Sequence, residues 1–168
     1  MNRDWEQRSD ALWAEFNAAP DTWDEDEFRA RVGELADELG PGHPVASFER
    51  ACAWDSTGHS DKAIPLYREA LELGIDGIRR RRSVIQMSSS LRNIGQPEES
   101  VRLLTEERDR GSDELDDALS ATLALALTSV GREREAVSLA VGALAKHLPR
   151  YQRSMANYAR LLVEPDED

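Results

Sequence analysis

The sequence is short of the residues that would point to chemistry. Its single cysteine, Cys52, excludes an internal disulfide and fits a reducing compartment. Lysine is confined to Lys62 and Lys146, so the positive charge is almost all arginine, a bias expected of a GC-rich genome. The three histidines, His43, His59 and His147, are far apart and lack a Cys, Asp or Glu at ligand spacing, which argues against a metal site. No glycine-rich phosphate loop occurs, and Ser88–Ser89–Ser90 lacks the Gly-x-Ser-x-Gly context of a nucleophile. No apolar run approaches the length of a membrane-spanning helix, and the opening "MNRDWEQRSDALWAEF" lacks the layout of a signal peptide. These absences predict a cytoplasmic protein that is not an enzyme and takes no cofactor.

What is present is a core, a charge pattern and a period. The 168 residues, 40% of them hydrophobic, are expected to form one domain, 1–168. Net charge is −12, unevenly spread. Residues 1–60 carry 14 acids against 5 bases, whereas residues 61–110 carry 9 acids against 10 bases. An acidic chain is repelled by a phosphate backbone, which disfavours nucleic acid as a partner. The basic centre, "DGIRRRRSVIQMSSSLRNIG" at 76–95, is therefore a local feature flanked by acid.

Strand-like alternation is absent over any six residues, and helix-period patterns dominate. Gly58, Gly95 and Gly131 recur at intervals of 37 and 36 residues, each followed by a polar turn and an amphipathic segment. An apolar stripe precedes each glycine: Val84, Met87, Ser88, Leu91 and Ile94 in the middle unit, Ser120, Leu123, Ala124, Leu127 and Val130 in the third. Small residues recur at matching places, Ala51, Ser88 and Ala124 in the first helix and Ala63, Ser100 and Ala136 in the second. They let two antiparallel helices approach closely.

This layout resembles the tetratricopeptide repeat, a helix–turn–helix unit of about 34 residues. Trp54, Gly58, Ala63, Tyr67 and Ala70 carry the match in the first unit, and Ser88, Leu91, Gly95, Ser100 and Leu104 in the second. The third has Ala124, Leu127, Gly131, Ala136, Ala140 and Ala143. The pairing of "RRR…IQ…S.LRN.G" with a later "LPRYQRS…YA" is similar to a bacterial subgroup of that family. The resemblance implies an all-α fold, a right-handed superhelical solenoid of antiparallel helix pairs with about nine helices. The expected plan is a helical pair or cap at 1–40, units at 44–75, 78–111 and 113–148, a capping helix at 149–163 and an acidic tail at 164–168. Glu107 stands where the family has a small residue, so the end of that helix is expected to pack loosely.

The resemblance also implies a non-enzymatic scaffold that binds a peptide or partner protein in its concave face. In the family's register that face takes Glu49 and Cys52 from the first unit. From the second it takes Arg82, Ile85, Gln86, Ser89, Arg92 and Asn93, and from the third Thr122, alongside Ala118, Leu125 and Ser129. The clamp by which some members hold a C-terminal carboxylate uses Lys and Asn where this chain has Phe48 and Cys52. Only Arg82 and Gln86 echo it.

Four cations in the first turn of a helix oppose its dipole. Arg79 to Arg81 are therefore expected to pair with nearby acids, either Glu69, Glu72 and Asp76 or those of the N-terminal pair, leaving Arg82 for the groove. The alternative is a regulatory or sensor domain that contacts nucleic acid or an acidic ligand through Arg79–Arg82. Homo-oligomerisation through the terminal helices is also left open.

Overall fold

A computed structural model describes residues 3–19 and 22–164. Apart from Glu164, the expected acidic tail lies outside the described residues. Among them the chain forms nine α-helices and no strand, as the sequence pattern requires: α1 (Arg3–Ala18), α2 (Glu25–Asp37), α3 (Pro44–Ser56), α4 (Ser60–Glu72), α5 (Gly77–Asn93), α6 (Pro97–Arg110), α7 (Asp116–Thr128), α8 (Glu133–Ala145) and α9 (Gln152–Leu161). They group into two compact units, Met1–Ser83 and Val84–Asp168, with the division inside α5. Within each unit consecutive helices pack on one another.

In the first unit, α1 and α2 run antiparallel around an aromatic cluster. The Phe16 and Phe28 rings stack with centroids 3.9 Å apart, and Trp13 meets Phe28 edge-on at 5.2 Å. Leu12, Val32 and Ala53 complete the cluster, which ties α3 to the pair. Polar contacts fix the register: Trp5 Nε1 donates to the Leu35 carbonyl at 2.7 Å, and Arg8 grips both Glu38 carboxylate oxygens at 2.8 and 2.6 Å. Asp24 caps α2 by accepting from the Glu27 amide, and the acidic run at 24–27 complements the dipole at this helix start. α3 begins at Pro44, whose missing N–H costs nothing in a first turn. α4 continues through Pro65.

The three phasing glycines perform one backbone task. Gly58, Gly95 and Gly131 have φ of 80°, 82° and 74°, left-handed values that side chains with a Cβ resist. In each case the next amide turns back to the helix it has just left: His59 to the Trp54 carbonyl, Gln96 to Leu91 and Arg132 to Leu127, at 2.9, 2.9 and 3.0 Å. This closing bond satisfies a carbonyl that the helix end would otherwise leave open. The period read from the glycines is thus a repeated helix stop.

The second unit has its core in Leu104, Leu119, Leu123, Ala124, Ala126, Leu127 and Ala136, with Ile85, Val101 and Leu139 packed against it. Two local expectations change here. Ile94 is exposed because α5 stops at Asn93 and Ile94 falls in the turn, off the apolar stripe. Glu107 is buried with Arg110 Nε 3.8 Å from its carboxylate, so a charged side chain fills the place of the small one.

All six small residues at the close-approach positions are buried. Ser88 and Ser100, where alanine stands in the other units, have hydroxyl oxygens with no hydrogen-bond partner among the described residues. A buried hydroxyl without a partner is destabilising, and alanine is also the better helix former. Ser88→Ala and Ser100→Ala should each raise unfolding stability by about 1 kcal/mol. Urea midpoints at constant slope check this; a lower midpoint for either variant would refute the assignment.

Candidate functional site

The candidate groove residues fall into both units and are described unit by unit. In the first unit the register positions of α3 are covered. Glu49 is only 5% exposed, and Trp13 Nε1 of α1 donates to its Oε2 at 2.7 Å. Burial pushes the Glu49 carboxyl above its ordinary value, against the Trp13 hydrogen bond and the attraction of Arg79 and Arg82. Cys52, one turn on, is buried, with the Tyr67 hydroxyl 3.7 Å from its sulfur. Burial and then the neighbouring Glu49 carboxylate push its thiol up to about 12, so thiolate chemistry is suppressed.

The arginine run divides. Arg79 makes a bidentate pair with Glu6 of α1, Nη1–Oε1 at 3.1 Å and Nη2–Oε2 at 2.5 Å, and its Nε lies 3.8 Å from Glu49 Oε1. An acid of the N-terminal pair thus compensates the first cation of α5. Arg81 is 4% exposed. Arg82 stays at the surface, its guanidinium over the Phe48 ring 5.0 Å from the centroid, so an aromatic face holds it. α1 therefore reaches both α3, through Trp13, and the start of α5, through Glu6.

Glu49 supplies a pH signature. Its folded-state pKa is raised above the ordinary 4.5, so the native protein holds this proton to higher pH than the unfolded chain does. Its contribution to stability falls as pH rises through that window and is lowest above it. Glu49→Gln keeps an acceptor for Trp13 but cannot ionise. Melting both proteins from about pH 4 to about pH 8 should show the variant gaining on the wild type as pH rises. A difference constant across pH, or one moving towards the wild type, would contradict a raised pKa.

In the second unit the candidates are more open. Ile85 is the exception, turned into the core beside Leu104 and Leu123. Gln86 and Ser89 are half-buried on α5, and Gln86 is engaged in a polar contact. Arg92 donates from Nη2 to Asn93 Oδ1 at 3.1 Å, while its Nε is buried without a hydrogen-bond partner among the described residues. Asn93 is exposed. On α7, the half-buried Thr122 donates its hydroxyl to the Ala118 carbonyl at 2.9 Å. Leu125, a register position outside the polar candidate set, is 54% exposed. The open surface of this unit thus combines one apolar side chain on α7 with an arginine–asparagine pair on α5.

Among the described residues no cluster of three or more His, Cys, Asp or Glu side chains is placed to hold a metal ion. No described helix is long and apolar enough to cross a membrane. A search of curated proteins returns no match to the chain. A family model does match, over residues 44–162, well over half of the sequence and including both helices of each glycine-phased unit. Repeats of that family generally mediate protein–protein interaction. With the helix pairs, the repeated glycine stop and this match in agreement, the chain belongs to the tetratrico peptide repeat family.

Proposed function

We propose that the protein is a non-catalytic interaction scaffold, and that it takes an extended or helical peptide on the α5–α7 face of its second unit. The observation that carries this reading is Leu125: a leucine 54% exposed on the register face of a first helix, in a unit whose other large α7 side chains are buried. Arg92 and Asn93 supply donors for a peptide carboxylate or backbone carbonyl, and Ser89 and Thr122 are small enough to let a chain lie close. Arg82 and Gln86 remain candidates, whereas the burial of Glu49 and Cys52 counts against their touching a partner.

Peptides selected by display against the wild-type protein should bind Leu125→Asp and Arg92→Ala at least about tenfold more weakly, with helical content unchanged. An Arg82→Ala/Gln86→Ala double variant tests the clamp-like pair in the same assay. If Leu125→Asp retains full affinity while folded, peptide docking on this face is wrong.

A further inference from the structure

The outward face of α9 carries a second surface, distinct from the α5–α7 face. From Ala136 to Val163 the sequence contains no acidic residue, while Lys146, Arg150, Arg153 and Arg160 fall within it. In a chain of net charge −12 this is a concentrated basic stretch. α9 packs inward through Ala159, whose Cβ stands 4.0 Å from where a side chain at Gly142 of α8 would begin. Arg153, Asn157 and Arg160, spaced at i, i+4 and i+7, occupy the opposite side. With Arg150 and Tyr151 from the preceding turn they border an open basin of about 920 Å3.

Tyr151 is the second observation. It is the one non-glycine residue at positive φ among those described, at 69°. For a residue with a bulky side chain that conformation is strained. The strain is not relieved by burial, since the ring is 73% exposed. It is held by neighbours: Gln152 Nε2 donates to the carbonyls of Lys146 and Leu148 at 3.0 and 2.9 Å, and Ser154 Oγ donates to the Tyr151 carbonyl at 3.0 Å. A projecting aromatic ring on a hydrogen-bonded turn, with Arg150 and Arg153 near it in the chain, is a preorganised contact.

The cations differ in availability. Lys146 pairs with Asp117 at 2.8 Å, and Arg160 pairs with Glu164 and donates to Asn157. Arg150 and Arg153 have no ion-pair partner among the described residues.

We propose that this face docks an acidic segment of a partner protein, with carboxylates on Arg150 and Arg153 and an apolar side chain against Tyr151. Guanidinium groups suit carboxylates because both are planar and bind in pairs of hydrogen bonds. A short acidic segment feels only the patch, because screening limits its field to about 8 Å at physiological salt. A nucleic acid extends well beyond that distance and would run over a strongly acidic protein.

The test is fluorescence anisotropy with the full chain and a labelled peptide of repeated Glu-Glu-Leu-Glu. Its Gln-for-Glu analogue and an oligothymidylate of equal length serve as comparisons. The acidic peptide should bind, the Gln analogue should not, and Arg150→Glu/Arg153→Glu should weaken binding at least about tenfold. Tyr151→Gly removes the ring and relieves the backbone, so it should melt no lower than wild type yet bind more weakly. Leu125→Asp should leave this binding unchanged, which separates it from the α5–α7 face. Failure of the acidic peptide to bind, tighter binding of the oligonucleotide, or binding that survives the charge reversal would each overturn the proposal. So would salt-sensitive self-association abolished by the charge reversal, which would give the face to a second copy.

Discussion

Phe28→Ala should cost about 3–5 kcal/mol, the range for deleting a fully buried aromatic ring. Phe28 is 0% exposed, stacked on Phe16 and approached edge-on by Trp13 and by Trp23 at 5.6 Å. Its removal strips three ring contacts at once, each worth about 0.5–1.5 kcal/mol beyond burial, and it opens a cavity at the centre of the cluster that joins α1, α2 and α3. Phe28→Leu, which keeps most of the volume, should lose under half as much. Trp13 and Trp23 flank the site, so tryptophan emission during urea unfolding reads the effect directly. A loss of less than about 1 kcal/mol for the alanine variant would mean that the cluster does not hold α1 to α2.

The second large effect is expected at the Glu6–Arg79 pair. Its side chains are 29% and 23% exposed, between the surface pairs worth about 0–1 kcal/mol and the buried pairs whose breakage costs about 3–5. Removing Glu6 also leaves Arg79 with the more distant Glu49 carboxylate, 3.8 Å from its Nε, in the first turn of α5, where a cation opposes the helix dipole. Glu6→Gln and Arg79→Gln should each cost about 2 kcal/mol, and the double variant should cost little more than either. The coupling should shrink, without vanishing, in about 1 M salt, since partial burial shields it from ions. Single-variant losses that simply add would show that the two residues stabilise the fold independently.

Features set by nearby residues were the ones legible in the sequence. The helix stops at Gly58, Gly95 and Gly131 follow from backbone sterics at one residue, and the apolar stripes of α5 and α7 follow from helix geometry. The family resemblance adds the pairing of those helices and the face each presents. The fate of that face in the first unit was not legible. Glu49 is a candidate groove position of α3, but a tryptophan 36 positions earlier covers it, and no periodicity within α3 announces such a partner. The sequence offers Arg79 two sets of acids, Glu69, Glu72 and Asp76 or those of the N-terminal pair, and the choice of Glu6, 73 residues away, depends on how α1 lies. The sequence leaves Arg82 to the groove, and nothing in it ties that guanidinium to the ring of Phe48, the residue that replaces the family's clamp lysine. Tyr151 carried no signal as a strained residue, because left-handed backbone at a tyrosine has no compositional mark.

Cys52 turns the covered face of the first unit into something measurable. A thiol that is both enclosed and held protonated reacts with an alkylating or disulfide reagent only during moments of opening. As the chain's sole cysteine it yields a single kinetic phase with no competing site. Labelling that is slow compared with reclosure then counts the fraction of time α3 and α4 stand apart, without unfolding the protein by denaturant. The first unit carries its own clock for local opening, and any partner that pries α4 from α3 would make it run faster.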